Sequence, residues 1–203
     1  YNLAVVVDDN FMNITHVLRG EDHISNTAKQ ILLYKALNFK LPIFSHTPLI
    51  LNYEGKKLSK RDCVTSIDEF KEMGYLPEAL TNYMAFLGWA IKASDSEILS
   101  LAEISKFFDL SDVNKAGAKF SWDKLNWINS QHIKKMEIDK LRKFIKKYWN
   151  DMGWESPSRD WELKLTNLIK DSMILLKDSI DQSKPFFTIS EMQKQGKDFL
   201  ENN

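Results

Sequence analysis

Cysteine is nearly absent from this 203-residue chain, with Cys63 the single example. One thiol excludes an internal disulfide framework and a cysteine-rich zinc site, and it fits a reducing compartment. Net charge is absent as well: 28 basic and 28 acidic residues cancel, so no global field points to a partner. No apolar run is long enough to cross a bilayer, and no signal-peptide pattern opens the chain. Internal repeats and low-complexity tracts are missing too. The chain starts at Tyr1 rather than methionine, directly in strand-like sequence, which reads as a fragment lacking an N-terminal portion. What is present, 43% hydrophobic and 28% charged residues, suits a soluble globular protein of one large or a few small domains.

The segment "LAVVVDD" (3–9) is a β-branched apolar run closed by two aspartates, and it reads as a buried strand. Asp8 and Asp9 are expected to end it by bonding to backbone amides rather than to hold a metal. "NITHVLRGED" (13–22) supplies a strand over 14–18, stopped at Arg19-Gly20. Ser25 or Asn26 offers a helix cap, and Ala28, Ile31, Leu32, Lys35 and Ala36 continue at helical spacing to Asn38. "LPIFSHTPLIL" (41–51) reads as a further strand. Strand, helix and strand of these lengths form a βαβ unit with parallel strands, in which ligands gather beyond the strands' carboxyl ends. His16 and His46 lie within those strands and read as structural.

Strand signals fade after residue 51. Ser66 has the look of a helix cap, Gly74, Pro77 and Gly88 punctuate 66–90, and Leu80, Tyr83, Met84 and Leu87 form a helical stripe. Helices are predicted over 100–110, 121–136, 137–149 and 161–182, with a linker at 154–160. Trp89, Trp122 and Trp127 are assigned to the core. The run from Lys134 to Lys147 carries Lys134, Lys135, Lys140, Arg142, Lys143, Lys146 and Lys147 against Glu137 and Asp139. Contact with RNA phosphates and simple solvation both remain open for it.

Two polar segments emerge at the same edge of the βαβ unit, "RGEDH" (19–23) and "EGKKLSKRDC" (54–63). The second packs Lys56, Lys57, Lys60 and Arg61 around Ser59. Such a loop is either a solvated charge run or a phosphate cradle. With Leu58 as its one aliphatic anchor, residues 53–62 are expected to take up fixed structure only against phosphate oxygens.

"KLSKR" (57–61) resembles the lysine-serine-lysine signature loop of class I aminoacyl-tRNA synthetases, in the form typical of bacterial glutamyl-tRNA synthetases. "YNLAVVVDD", "ITHVLRGEDHISNTAKQILLYKAL" and "MGYLPEALTNYMAFLGW" are similar to the same family in order and spacing. The fold this implies is α/β followed by mainly α. Residues 1–65 would be the C-terminal half of a Rossmann-type catalytic domain, 66–136 a helical tRNA stem-contact domain, and 137–203 the start of an α-helical anticodon-binding region. The implied activity is ATP-dependent ligation of L-glutamate to tRNA(Glu) through glutamyl-adenylate, by a cytoplasmic enzyme, monomeric at full length. Mg²⁺ accompanies ATP; no zinc or other protein-held metal is implied.

By the same resemblance Lys57, Ser59 and Lys60 are catalytic. Asp22, Lys57, Leu58, Ser59, Lys60 and Arg61 bind ATP, while Tyr1, Arg19 and His23 bind glutamate. Arg19 is expected to hold a carboxylate by two parallel hydrogen bonds rather than pair with Glu21 or Asp22. His23 stands where some relatives carry tryptophan. The family's other nucleotide signature, of His-Ile-Gly-His type, has no counterpart in residues 1–203. A catalytically silent RNA-binding or structural fragment therefore stays open as an alternative. So does a nondiscriminating enzyme that also charges tRNA(Gln), because by the resemblance the residues that read the anticodon lie mostly beyond 203.

Overall fold

The computed structural model of the chain describes residues 1–58, 66–89 and 96–188. They fall into two compact units, one of Tyr1–Cys63, Met84–Ala93 and Phe107–Phe120, the other of Val64–Tyr83, Ser94–Lys106 and Ser121–Asn203.

In the first unit, β1 (His16–Gly20) pairs in parallel with β2 (Ile43–Thr47), with Arg19 opposite His46. The connection is α2 (Ile24–Ala36), entered through a 3-10 turn at Glu21–His23 and not through a side-chain cap at Ser25 or Asn26. Pro48, which has no N–H to give a ladder, separates β2 from β3 (Ile50–Leu51). The single strand read over 41–51 is thus two, and β3 pairs in parallel with β4 (Ala118–Lys119). Gly117 lies so close to β3 that a Cβ there would sit 2.8 Å from Leu51 and 2.9 Å from the Leu49 carbonyl.

The largest departure from the sequence reading is at the start. Residues 3–9 are not a strand; they lie in helix α1 (Asn2–Phe11), packed on α2. Val5, Val6 and Val7 carry β propensity, but tertiary contacts override it. Asn2, Val6 and Asp9, spaced i, i+4, i+7, all face α2. Val6 is completely buried, Asn2 Oδ1 accepts from Gln30 Nε2 at 3.2 Å, and Asp9 Oδ2 accepts from the Tyr34 hydroxyl at 3.5 Å. Asp9 therefore answers to a side chain of α2 and caps no strand.

α1 and α2 end alike. Asn13 (φ 55°) and Asn38 (φ 53°) take the left-handed conformation, and the next residue's N–H turns back to the last turn: Ile14 to Asp9 O and Phe39 to Tyr34 O, both at 2.9 Å. Asparagine tolerates that conformation better than other non-glycine residues, and the motif satisfies carbonyls the helix leaves orphaned.

The second unit is helical: α3 (Ile67–Met73), α4 (Pro77–Phe86) up to Tyr83, α5 (Leu101–Phe107) up to Lys106, α6 (Trp122–Lys135), α7 (Ile138–Asp151), α8 (Arg159–Ile169) and α9 (Ser179–Phe187). Ser66 closes a capping box with Glu69, each side chain bonded to the other's backbone N–H. The helix predicted over 161–182 is broken. After Ile169 the chain leaves helical geometry at Met173, and the Asp178 carboxylate accepts from the N–H groups of Ile174 and Leu175 at 2.9 and 2.8 Å. The Leu176 N–H meets Gly74 O at 3.0 Å. A Cβ on Gly74 would lie 2.9 Å from the Lys177 backbone nitrogen, so glycine is required there for close approach as well as for its φ of +96°. The apolar stripe Leu165, Ile169, Met173, Leu176 runs straight through the break and hides it in the sequence.

Asn129 of α6 joins these pieces. It is fully buried, accepts from the Leu76 N–H at 2.9 Å and donates to Ile174 O at 2.5 Å. Asn129→Leu removes both bonds and strands the buried Leu76 N–H, an expected loss of about 1–3 kcal/mol in equilibrium denaturation.

Trp89 and Trp122 lie in aromatic clusters, Trp89 almost wholly buried. Trp127 does not: it is 41% exposed, with Lys124 Nζ 4.3 Å from its ring centroid. The lysine-rich face of α7 is largely paired. Lys140 reaches Glu78, Lys143 reaches Asp139, and Arg142 and Lys146 both reach the buried Glu162. The hydrogen bond from Arg142, overcoming partial desolvation, holds the Asp139 carboxyl at about 2, with Arg159 and Lys143 adding to it. A depressed folded-state pKa stabilises above the ordinary aspartate value of 3.8, and that contribution is lost as pH falls toward about 2. Asp139→Asn should therefore flatten the acid side of the stability profile between those limits and leave its neutral-pH shape unchanged, as read by melting temperature against pH.

Candidate functional site

The first unit carries the charged groups singled out by sequence. Arg19 is the fourth residue of β1, and its side chain lies against α2. Its Nη2 donates to Thr27 Oγ1 at 2.6 Å and to Gln30 Oε1 at 2.7 Å, and its guanidinium carbon lies 5.5 Å from the Phe44 ring centroid. No carboxylate among the described residues pairs with it, neither Glu21 nor Asp22. A half-buried cation held by two neutral acceptors and an aromatic face has its direction set and its charge uncompensated. Both Nη2 protons are used, so a carboxylate cannot take two parallel bonds without displacing Thr27 or Gln30.

The buried stripe of α2 is Thr27, Gln30 and Tyr34, at i, i+3, i+7. The apolar positions read from sequence lie elsewhere: Leu32 is exposed and Ile31 half-buried. Hydrophobic periodicity chose the wrong face because the inner one must supply oxygen acceptors to Arg19. Thr27 and Gln30, which hold Arg19, and Asn2, which holds Gln30, were not singled out by sequence reasoning; the polar i, i+3 spacing of Thr27 and Gln30 was the available signal. His46 is satisfied as expected, its Nε2 lying 2.8 Å from Thr27 Oγ1.

Beyond β1, Asp22 turns back over Gly20, where a Cβ would lie 2.6 Å from its Oδ1. Lys57 Nζ donates to Asp22 Oδ2 at 2.7 Å, and this bond holds the Asp22 carboxyl below its ordinary value. The two polar segments after β1 and β3 therefore do meet. Lys57 is positioned by a tight reversal: Asn52 and Lys56 exchange backbone and side-chain hydrogen bonds, Gly55 turns at φ 79°, and the Leu58 N–H returns to Ile50 O at 2.9 Å. Residues 52–58 form a hydrogen-bonded hairpin turn. Ser59, Lys60 and Arg61 lie outside the described residues.

His23 sits beside Asp22 at the start of α2, its Nδ1 taking a hydrogen bond from Asn26 Nδ2 at 3.2 Å. Tyr1 is exposed and makes no bond to Arg19; the connection runs through its neighbour Asn2 and Gln30. A cleft of about 360 Å³ contains Glu21, His46 and Thr47 but none of Arg19, Asp22 or Lys57, and so is distinct from this constellation. Among the described residues no three His, Cys, Asp or Glu side chains converge as a metal site would need.

Residues 1–127 match the family described as class I tRNA synthetases (E and Q), catalytic domain. The chain belongs to this family. Glutamate–tRNA ligases of Prochlorococcus marinus strains MIT 9515 and NATL2A are 82% and 54% identical to it over 202 and 201 residues. The family member described here spans 42% of the length of each, and 100% and 99% of it is covered. A crystal structure of a glutamate tRNA ligase from Elizabethkingia meningosepticum in complex with its amino acid superposes with a TM-score of 0.85. Its sequence identity is 38%, over 94% of this chain and 41% of that one. The α/β unit followed by helices is thus a Rossmann-type synthetase fold with its helical continuation. Among the described residues no helix is long and apolar enough to cross a membrane.

Proposed function

We propose that this chain is the part of a glutamate–tRNA ligase that contributes the glutamate-recognising arginine and the signature loop. The observation that carries the reading is Arg19: a cation fixed by Thr27, Gln30 and Phe44, with no carboxylate of its own among the described residues. A substrate carboxylate supplies the missing charge.

In the proposed reaction an oxygen of the glutamate α-carboxylate attacks the α-phosphorus of ATP. The bond from that phosphorus to the bridging oxygen breaks, releasing pyrophosphate and leaving glutamyl-adenylate. A terminal ribose hydroxyl of tRNA(Glu) then attacks the acyl carbon and AMP leaves. Such transfers need positioning and neutralisation more than a protein nucleophile. Lys57, Ser59 and Lys60 serve the phosphates, and Asp22, Leu58 and Arg61 complete the ATP contacts; Tyr1 and His23 flank the amino acid. The Lys57–Asp22 pair is solvent-exposed at 59% and 38%, so water screens it and phosphate oxygens compete for Lys57 easily. Mg²⁺ enters as part of the MgATP substrate. Residues 66–136 would face the tRNA stem and 137–203 begin the anticodon-binding region, in a cytoplasmic monomer.

Arg19→Lys tests this reading in the chain extended to the full length of its relatives. The ammonium would end near the present guanidinium carbon, short of Thr27, Gln30 and substrate alike. The KM for glutamate should rise about 10- to 100-fold, with that for ATP nearly unchanged. An unaltered glutamate KM and kcat would remove Arg19 from the substrate site.

A further inference from the structure

We propose that Gln30 and Thr27 are positioning residues that decide which nitrogen of Arg19 meets the substrate, an inference that rests on the reading of Arg19 as the glutamate contact. A guanidinium offers five N–H donors. Thr27 Oγ1 and Gln30 Oε1 take both protons of Nη2. Nε is sealed from solvent without a partner, whereas Nη1 is neither paired nor sealed among the described residues. Nη1 is the edge left for an incoming carboxylate, and the contact is made at one nitrogen rather than as a fork.

The two acceptors are themselves held. Gln30 is 1% exposed, and its Nε2 donates to Asn2 Oδ1, which fixes the amide with its oxygen toward Arg19. The same bond ties Arg19 to the first turn of α1, next to Tyr1. Thr27, also buried, bonds to the His23 carbonyl at 3.2 Å and to His46 Nε2 at 2.8 Å. Both acceptors are neutral, and neutrality matters: a carboxylate at position 30 would pair with Arg19 and cancel the charge that the substrate must meet. Gln30 therefore orients the cation without neutralising it.

The test is steady-state aminoacylation by the chain extended to full length, comparing Gln30→Met, Gln30→Glu, Thr27→Val and Thr27→Ser with Arg19→Lys. Gln30→Met keeps the side-chain length and removes the acceptor; the glutamate KM should rise about ten-fold while the ATP KM holds. Gln30→Glu, which keeps the shape and adds a counter-ion, should raise it further. Thr27→Val should behave as Gln30→Met does, and Thr27→Ser, which restores the hydroxyl, should recover most of that loss. In an Arg19→Lys background Gln30→Met should add little, because the group it positions is already gone; a merely structural residue would add its full effect.

Should Gln30→Met fail to fold by circular dichroism, the Glu, Val and Ser variants decide the matter. Unchanged glutamate KM values in the folded Gln30 and Thr27 variants, beside a raised value for Arg19→Lys, would overturn the positioning role alone. A normal KM in Arg19→Lys would overturn the glutamate reading beneath it.

Discussion

Replacing Lys60 by alanine, in the chain extended to the length of its relatives, is expected to slow glutamyl-adenylate formation by about 2–4 kcal/mol of activation free energy. tRNA affinity should stay nearly intact. The expectation rests on what develops during the transfer. Negative charge builds on the phosphate oxygens as pyrophosphate leaves, and a positioned ammonium interacts with that charge more strongly in the transition state than in the ground state. Lys57 brings a single ammonium and cannot supply both cations. Single-turnover consumption of ATP in the presence of tRNA, with tRNA binding measured separately, reads the two quantities apart. Equal losses in both would contradict the assignment to the chemical step.

Glu162→Leu carries the second large effect, on stability. Glu162 is 2% exposed, yet its carboxylate takes bonds from Arg142 Nη1, Lys146 Nζ and Ser156 Oγ, each at 2.5 Å. Burial alone pushes this carboxyl up, but the Lys146, Ser156 and Arg142 bonds together outweigh burial and hold it below its ordinary value. Removing the anion leaves Arg142, itself nearly buried, with Asp139 as its remaining counter-charge. Breaking one side of a buried ion cluster costs about 3–5 kcal/mol, whereas replacing both sides by apolar groups costs far less. Glu162→Leu should therefore shift the denaturation midpoint strongly, and adding Arg142→Met should recover part of the loss. Fluorescence of Trp149 and Trp161, which pack together with a centroid separation of 6.1 Å, gives a nearby probe. A shift below about 1 kcal/mol for Glu162→Leu would show that the cluster is effectively a surface network.

These features differ in how far the sequence reveals them. The parallel pair β1–β2 with its crossover was legible from run lengths and the stops at Gly20 and Asn38, because backbone geometry allows few other solutions. α1 was not, since a short apolar run satisfies strand and helix equally and three valines favour the strand. Its helical register shows in the polar positions Asn2 and Asp9, which find partners in Gln30 and Tyr34 only once α2 is in place. The same inversion hid the inner face of α2. Apolar residues mark a buried face when burial is the driving force, but a face that holds an arginine must be polar. Arg19, Asp22 and Lys57 were legible as candidates through resemblance to the family, and Lys57 and Asp22 do meet. How Arg19 is held was not, because Thr27 and Gln30 read as ordinary helix-surface residues.

The break between α8 and α9 was invisible for a further reason. It is made by a contact distant in sequence, Leu176 against Gly74, while the local apolar stripe argues for continuity. Gly74 was a better guide: it takes positive φ at the end of α3, a conformation that glycine adopts without strain.

In the proposed function, Arg19 and the 57–61 loop belong to an enzyme that activates glutamate for transfer to tRNA. Aminoacylation by the chain extended to the full length of its relatives tests it most directly, with ATP, tRNA(Glu) and radiolabelled amino acid. The expected result is ATP-dependent formation of an alkali-labile glutamyl ester, reduced at limiting glutamate by Arg19→Lys. A folded protein that transfers no glutamate, or that uses glutamine or aspartate in its place, would contradict it.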